Sequence, residues 1–339
     1  MDTLINRLPA RAAKPARDTK VLPALQASPQ GHERTPIKCV GVVGLGRMGE
    51  AFAKNLLDAG YQVVAHDREM RRTQPLQAEG ARSAEHLTDF AECDVVITSL
   101  PDDAAIERVA LGADGLTSVL PTGAVHVCMS TISPEMSRRL ATAHAAHGQA
   151  FVAAPVLGNP DLAHARRLFV LAGGPAEAVA RVRPMLEKLG QRVFIIGDDP
   201  GLASLVKLAG NVLTAATLES MGEVFALLRK AGIDPHLAFD VFTGSLFDGR
   251  VHKTYGGKIV DNRYDPPGMT TPLAVKDLRL ALAEAEKLAV PMAVASLVHD
   301  RLVATVARGW GGLDWSALGL LAANDAGLGD AAPTSPRKV

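Results

Sequence analysis

Three cysteines in 339 residues, Cys39, Cys93 and Cys128, are too few and too scattered for a disulfide framework, and they show no metal-ligand spacing. They read as small core residues in a reducing compartment, so a cytoplasmic protein without a metal is expected. An excess of charge is lacking too: 36 basic residues face 36 acidic ones, which removes nucleic acid and anionic membrane from the expected partners. No apolar run reads as a membrane span, the nearest, residues 288–298, being interrupted by Pro291. Neither an internal repeat nor the apolar core of a secretory signal is found. What remains is ordinary for a soluble globular protein, 47% hydrophobic and 21% charged, and long enough for two domains.

The most informative stretch is Val40-Gly41-Val42-Val43-Gly44-Leu45-Gly46-Arg47-Met48-Gly49, which passes at once into a helical apolar pattern. It reads as strand, tight turn, helix. Gly44 permits the turn, Gly46 lets backbone approach a pyrophosphate, and Gly49 lets helix and strand pack closely. The helix start, with unpaired N–H groups and the positive end of the dipole, suits a phosphate. A second apolar run ends in His66-Asp67, placing an acid about 20 residues beyond the glycines, where a ribose-binding carboxylate belongs. Gly44, Leu45, Gly46, Arg47, Met48, Gly49, Asp67 and Arg68 are thus candidate contacts for a nicotinamide dinucleotide. Asp67 favours NAD over NADP, while Arg68, Arg71 and Arg72 offer partners for a 2′-phosphate.

From residue 37 the pattern alternates short β-like runs with helical ones. Strands are predicted at 39–43, 62–65, 94–100, 125–129, 151–156 and 192–196, and helices at 49–59 and around 72–79. Such alternation predicts an α/β fold: a Rossmann-type, doubly wound, mostly parallel sheet whose ligands bind beyond the carboxyl ends of the strands, where Gly44, Asp67, Leu100-Pro101 and Ser130-Thr131 all fall. After residue 198 the strand pattern stops. A long helix over 201–230, another opened by Asp234-Pro235, and helical pattern over 270–308 predict an all-α C-terminal domain. The expected division is a proline-rich disordered leader (1–36), a dinucleotide-binding domain (37–198), a helical substrate and dimerisation domain (199–325) and a flexible tail (326–339). The leader, basic and poor in acids like a transit peptide, reads chiefly as a dispensable extension.

Lys207 and Asn211 lie four apart on the long helix and so share a face. A lysine desolvated there can exchange a proton with a hydroxyl or carbonyl oxygen while a cofactor moves hydride, with Asn211 holding that oxygen or the amine; spacing alone favours a solvated lysine. Ser130 and Thr131 offer hydroxyls and N–H groups to a carboxylate or ribose, or a cap to the helix opening at Pro134. Lys276-Asp277 either reaches the cofactor or forms a surface pair.

These motifs, in this order, resemble the β-hydroxyacid dehydrogenases, which include 3-hydroxyisobutyrate dehydrogenase and tartronate semialdehyde reductase. Gly44 to Gly49, Leu100-Pro101, Ser130-Thr131-Ile132-Ser133-Pro134, Ala154-Pro155-Val156, Lys207 with Asn211, and Lys276-Asp277-Leu278 carry the likeness over residues 38–325. The resemblance implies that Lys207 is the catalytic lysine, with Asn211 beside it. It implies that Ser130 and Gly158 bind a small-molecule substrate, that Leu100, Pro101, Thr131 and Lys276 approach NAD or NADP, and that a homodimer or higher homo-oligomer forms. Two departures stand out. The family's Asp-Ala-Pro-Val-Ser-Gly-Gly is here Ala153-Ala154-Pro155-Val156-Leu157-Gly158-Asn159, and its paired asparagines are Gly210-Asn211. A reshaped substrate pocket follows. The rival readings, an imine reductase and a catalytically silent dinucleotide-binding module, both predict loss of the lysine that this chain retains.

Overall fold

A computed structural model describes residues 36–328. Apart from Pro36, the expected leader lies outside these residues, and so do residues 329–339 of the expected tail.

Strand β1 (Cys39–Val43), helix α1 (Arg47–Asp58) and strand β2 (Gln62–His66) begin the chain's first sheet crossover. Then come α2 (Gln74–Ala78), β3 (Arg82–Ser83), β4 (Val95–Thr98), α3 (Asp103–Leu111), α4 (Leu116–Val119), β5 (Val125–Cys128), α5 (Pro134–Ala146) and β6 (Ala150–Ala153). The strands order as β3-β2-β1-β4-β5-β6, parallel throughout, so the predicted doubly wound sheet is present. The order reverses between β1 and β4, which opens a crevice at their carboxyl ends. Strands β7 (Val156–Leu157), β8 (Leu168–Gly173) and β9 (Gly190–Gly197), with α6 (Pro160–His164) and α7 (Ala176–Leu186), extend the far edge, β8 running antiparallel to β6 and β7.

The single strand predicted over 151–156 is two. Pro155 has no N–H to donate to a ladder, and the chain turns there to run beside β8. Strands β3 and β8 were not anticipated. β3 is only two residues long, and β8 reads Leu168-Phe169-Val170-Leu171-Ala172-Gly173, a short apolar run that periodicity cannot separate from a helix.

Past the sheet the chain is helical: α8 (Pro200–Lys230), α9 (Pro235–Thr243), α10 (Arg250–Val260), α11 (Thr271–Lys287), α12 (Ala293–Thr305) and α13 (Leu318–Asp325). Asp199 caps α8 by accepting from Gly201 N, with Pro200 in the first turn, where its missing N–H costs nothing. By length and composition α8 could cross a membrane, contrary to the sequence reading, which weighed only uninterrupted apolar runs. Half of its most apolar window is buried against the rest of the protein. Buried Leu208, Val212, Ala215 and Leu218 of α8 pack with Ala274 and Leu278 of α11 and Leu302 of α12.

Beneath the sheet runs a closed polar chain. Thr98 Oγ1 lies 2.9 Å from His126 Nε2, His126 Nδ1 2.8 Å from His144 Nε2, and His144 Nδ1 2.7 Å from Gln149 Oε1. Gln149 donates to the Thr117 and Leu120 carbonyls, which leaves its oxygen to accept. With both imidazoles neutral and donating through Nδ1, every atom of the chain is satisfied. Burial holds His126 well below the ordinary histidine range and lowers His144 to about 4. Because the folded state resists protons that the unfolded chain takes up near pH 6.5, stability should fall as pH drops from 6.5, on the order of 3 kcal/mol from His144 by pH 4. Proton NMR of the two imidazoles, alongside melting curves from pH 7.5 to 4.5, checks this. A midpoint near 6.5 for either ring would refute the neutral chain.

Candidate active site

Backbone constraints alone shape the glycine turn. Gly44 has φ +90° and a Cβ there would lie 2.4 Å from the Ser99 carbonyl oxygen; one on Gly49 would lie 1.8 Å from the Gly44 carbonyl oxygen. No other residue fits either position without moving the strand or the helix. At Gly46 a Cβ would meet nothing within 4 Å, so the space in front of the turn is open. The first helical hydrogen bond is Glu50 N to Gly46 O, which leaves the amides of Arg47, Met48 and Gly49 without a helical acceptor. An open space facing free N–H groups at a helix start fits a dinucleotide pyrophosphate.

Asp67 is buried, and its carboxylate braces the turn. One oxygen accepts from Leu45 N at 2.8 Å and the other from Glu69 N at 2.9 Å. Each oxygen keeps a lone pair for a ribose hydroxyl. Glu69 binds both Arg71 and Arg72 at 2.9 Å, so those two guanidiniums are engaged; Arg68 is exposed and has no ion-pair partner among the described residues. Arg47 donates to the Pro267 carbonyl, tying α1 to the loop before α11.

The ends of β4 and β5 form the next wall. Ser130 Oγ accepts from Leu100 N at 2.7 Å and donates to the Thr98 carbonyl in a long bond of 3.4 Å. The cap of α5 is Ser133, which accepts from Met136 N, so neither Ser130 nor Thr131 is drawn into that role. Lys276 reaches over from α11: its ammonium donates to the Pro101 carbonyl at 2.8 Å and the Thr131 carbonyl at 2.5 Å, and pairs with Asp277 Oδ1 at 3.0 Å. Two carbonyls of the sheet domain hold the ammonium beside the Asp277 carboxylate, so it acts as a strut between helix and sheet.

On α8, Lys207 is 8% exposed and Asn211 5%. Lys207 Nζ donates to Asn211 Oδ1 at 2.9 Å, and Asn211 Nδ2 donates to Asp277 Oδ2 at 2.6 Å. The amide's orientation is set by its neighbours, carbonyl toward the ammonium and amino group toward the carboxylate. Burial lowers the Lys207 ammonium to about 8; the Asp277 charge opposes that shift and the Lys276 charge adds to it. Asp277, 66 residues away in sequence from Asn211, is the member of this chain that sequence reading missed. Its only signal was adjacency to Lys276.

A cavity of about 190 Å³ is bordered by Met48, Leu100, Pro101, Ser130, Thr131, Lys207, Asn211, Lys276 and Asp277, so residues predicted from five separate motifs meet. Gly158 and Asn159 border it as well; Gly158 has φ +148°, and a Cβ there would lie 2.5 Å from Leu168. Among the described residues no group of three or more His, Cys, Asp or Glu could hold a metal ion.

A dinucleotide turn and a buried lysine on the border of one cavity define an NAD(P)-dependent oxidoreductase. Residues 39–197 match the family model of the NAD binding domain of 6-phosphogluconate dehydrogenase, and residues 201–321 that of NADP-dependent 3-hydroxyisobutyrate dehydrogenase. An uncharacterised oxidoreductase of Bacillus subtilis is 37% identical over 82% of this chain and 98% of its own. The 3-hydroxyisobutyrate dehydrogenase of Pseudomonas aeruginosa is 32% identical, over 77% and 90%. The crystal structure of 3-hydroxyisobutyrate dehydrogenase from Salmonella typhimurium superposes with a TM-score of 0.77 at 29% identity, covering 84% of this chain and 99% of that one. The chain belongs to the β-hydroxyacid dehydrogenase family.

Since Asp67 braces the turn and is the ribose contact expected from the sequence, Asp67→Ala should act twice. Loss of charge-assisted hydrogen bonds worth about 2 kcal/mol should lower Tm by about 3 °C. NAD binding should weaken more than NADP binding, because a repulsive charge leaves together with an acceptor. Calorimetric titration with each dinucleotide checks the second effect, and an unchanged NADP to NAD ratio would remove Asp67 from the ribose site.

Proposed function

We propose that this chain oxidises a small β-hydroxy acid to its semialdehyde, or runs the reverse reduction, with Lys207 as the proton-transferring group. The observation that carries the proposal is the buried chain Lys207–Asn211–Asp277 on the cavity that also borders Leu100, Ser130 and Thr131. The bound nicotinamide supplies the hydride donor or acceptor. In oxidation, the substrate O–H gives its proton to neutral Lys207 Nζ as the carbinol C–H leaves as hydride and C=O forms. In reduction, the ammonium returns that proton to the new alkoxide oxygen. An amine that titrates near 8 serves both directions around neutral pH. Asn211 holds the amine by its carbonyl, and Asp277 keeps the amide from turning.

Ser130 binds the substrate carboxylate by turning its proton away from the long Thr98 bond, and Gly158 presents backbone to the same group. Gly46, Arg47 and Met48 hold the pyrophosphate, with Gly44, Leu45 and Gly49 shaping the turn. Asp67 takes the ribose, Arg68 lies beside it, and Leu100, Pro101 and Thr131 flank the nicotinamide with Lys276 bracing them. NAD is the preferred cofactor, because Glu69 occupies Arg71 and Arg72 and adds negative charge near the ribose position. The sheet-bearing part (37–198) and the helical part (199–325) act as cofactor and substrate domains. Exposed Leu213, Leu227, Leu237, Val241 and Leu246 on or beside α8 and α9 support a homodimer formed through the helical part, and the three free thiols support a cytoplasmic setting. Lys207 also weighs against the imine reductase and silent-module readings.

Lys207→Ala should lower turnover by about 10²–10⁴-fold and leave dinucleotide affinity nearly intact. Lys207→Arg should not restore it, since a guanidinium stays protonated. Steady-state rates with cofactor titrations for each variant decide; near-normal turnover in the alanine variant would overturn the mechanism. For the native chain, kcat/KM for oxidation should rise with pH through a midpoint near 8, and kcat/KM for reduction should fall through it. Asp277→Asn removes the charge that favours the ammonium, so its midpoint should lie lower. A midpoint that stays put or rises would exclude this electrostatic coupling.

A further inference from the structure

Lys207, Asn211, Gly158 and Asn159 border a second and larger space, about 500 Å³. That volume lies in the range that accommodates drug-sized ligands, far more than a four-carbon acid fills. Leu157, Leu162, Phe169, Tyr255 and Trp315 give it an apolar side, while Thr214, Thr217, Thr254 and His252 also line it. The contact that sets this character is between Leu157 and Gly210. A Cβ on Gly210 would lie 2.9 Å from Leu157 Cδ2, so the leucine methyls lie on bare helix backbone one turn from Lys207. Neither position carries a side-chain donor that could hold a hydroxyl or a second carboxylate. Phe169 is covered on its outer side by the Arg250 guanidinium, 5.2 Å from the ring centroid, and Tyr255 and Trp315 meet edge to face at 5.6 Å. Ring packing of this kind makes a firm apolar wall.

We infer that the substrate of this site is a β-hydroxy acid, or its semialdehyde, bearing a branched alkyl or aromatic substituent larger than methyl, and that the Leu157–Gly210 contact selects it. The inference rests on the function proposed above and adds to it the identity of the group that fills the larger space. With the hydroxyl at Lys207 and the carboxylate at Ser130, a substituent on the intervening carbon passes Leu157 and enters between Phe169, Tyr255 and Trp315. A polar substituent there would lose its water without gaining a partner from Leu157 or Gly210. Each methylene buried against these walls should improve kcat/KM by about fourfold.

The test uses the full chain with NAD and with NADP, and 3-hydroxypropionates carrying hydrogen, methyl, hydroxymethyl, isobutyl or benzyl at carbon 2. The expected order is isobutyl and benzyl first, at least tenfold above methyl, with hydroxymethyl last. In the presence of cofactor the isobutyl and benzyl acids should also raise Tm more than the methyl acid does. Leu157→Ser should flatten the order, and Leu157→Ser combined with Gly210→Asn, which fills the freed space with an amide, should reverse it toward hydroxymethyl. Turnover that is greatest for the hydrogen, methyl or hydroxymethyl acid in the native chain would overturn this inference and leave the proposed reaction standing. An order unchanged in the Leu157→Ser variant would remove selection by that contact. Absence of turnover with every acid and both cofactors, while the dinucleotide still binds, would overturn the proposed reaction and this inference together.

Discussion

The site depends on keeping an amine dry without leaving it unpaired. A buried ammonium with no partner is costly, and a buried ammonium paired directly with a carboxylate stays protonated. The chain places an amide between the two: Lys207 meets Asn211 at 2.9 Å, and Asn211 meets Asp277 at 2.6 Å. The carboxylate is near enough to limit the effect of burial and is kept from direct contact, while Lys276 beside it acts in the opposite sense. The outcome is an amine near 8 rather than in the ordinary lysine range.

That arrangement needs α8 and α11 to be fixed against each other and against the sheet. Apolar packing of Leu208, Val212 and Leu278 sets the helices side by side. Lys276 pins α11 to the carbonyls at the ends of β4 and β5, and Arg47 pins α1 to the loop before α11. Fully buried Asp314 holds that loop from below, accepting from Gly268 N at 2.7 Å and pairing with Lys258 at 2.8 Å. Lys276 and Asp314 position these segments because each is largely desolvated and meets defined partners, whereas Arg47 does so from the surface.

At the cofactor end the same economy recurs. Gly44 and Gly49 remove the side chains that would keep helix and strand apart, and Asp67 spends one lone pair of each oxygen on the turn's backbone before any ribose is met. Ser130 likewise is committed to Leu100 N, so this wall of the cavity is held by groups that also face it.

The doubly wound sheet, the helical C-terminal part, the glycine turn and the Lys207–Asn211 pair were legible in the sequence because each is set by local periodicity, steric necessity or spacing along one helix. Pro155 splitting a strand, and β8 joining the sheet antiparallel, were not, since a short apolar run takes its partner from the fold. Nor could the sequence separate a strut from a ligand at Lys276, or show Asp277 completing the lysine's chain. Those roles depend on distances across 66 or more residues, which only packing of α11 against α8 and the sheet decides. The sequence by itself determined which chemistry is available, because residue type fixes donors, acceptors and charge; the tertiary structure decided which groups are dry, paired and facing one another, because burial and proximity arise only when distant segments meet.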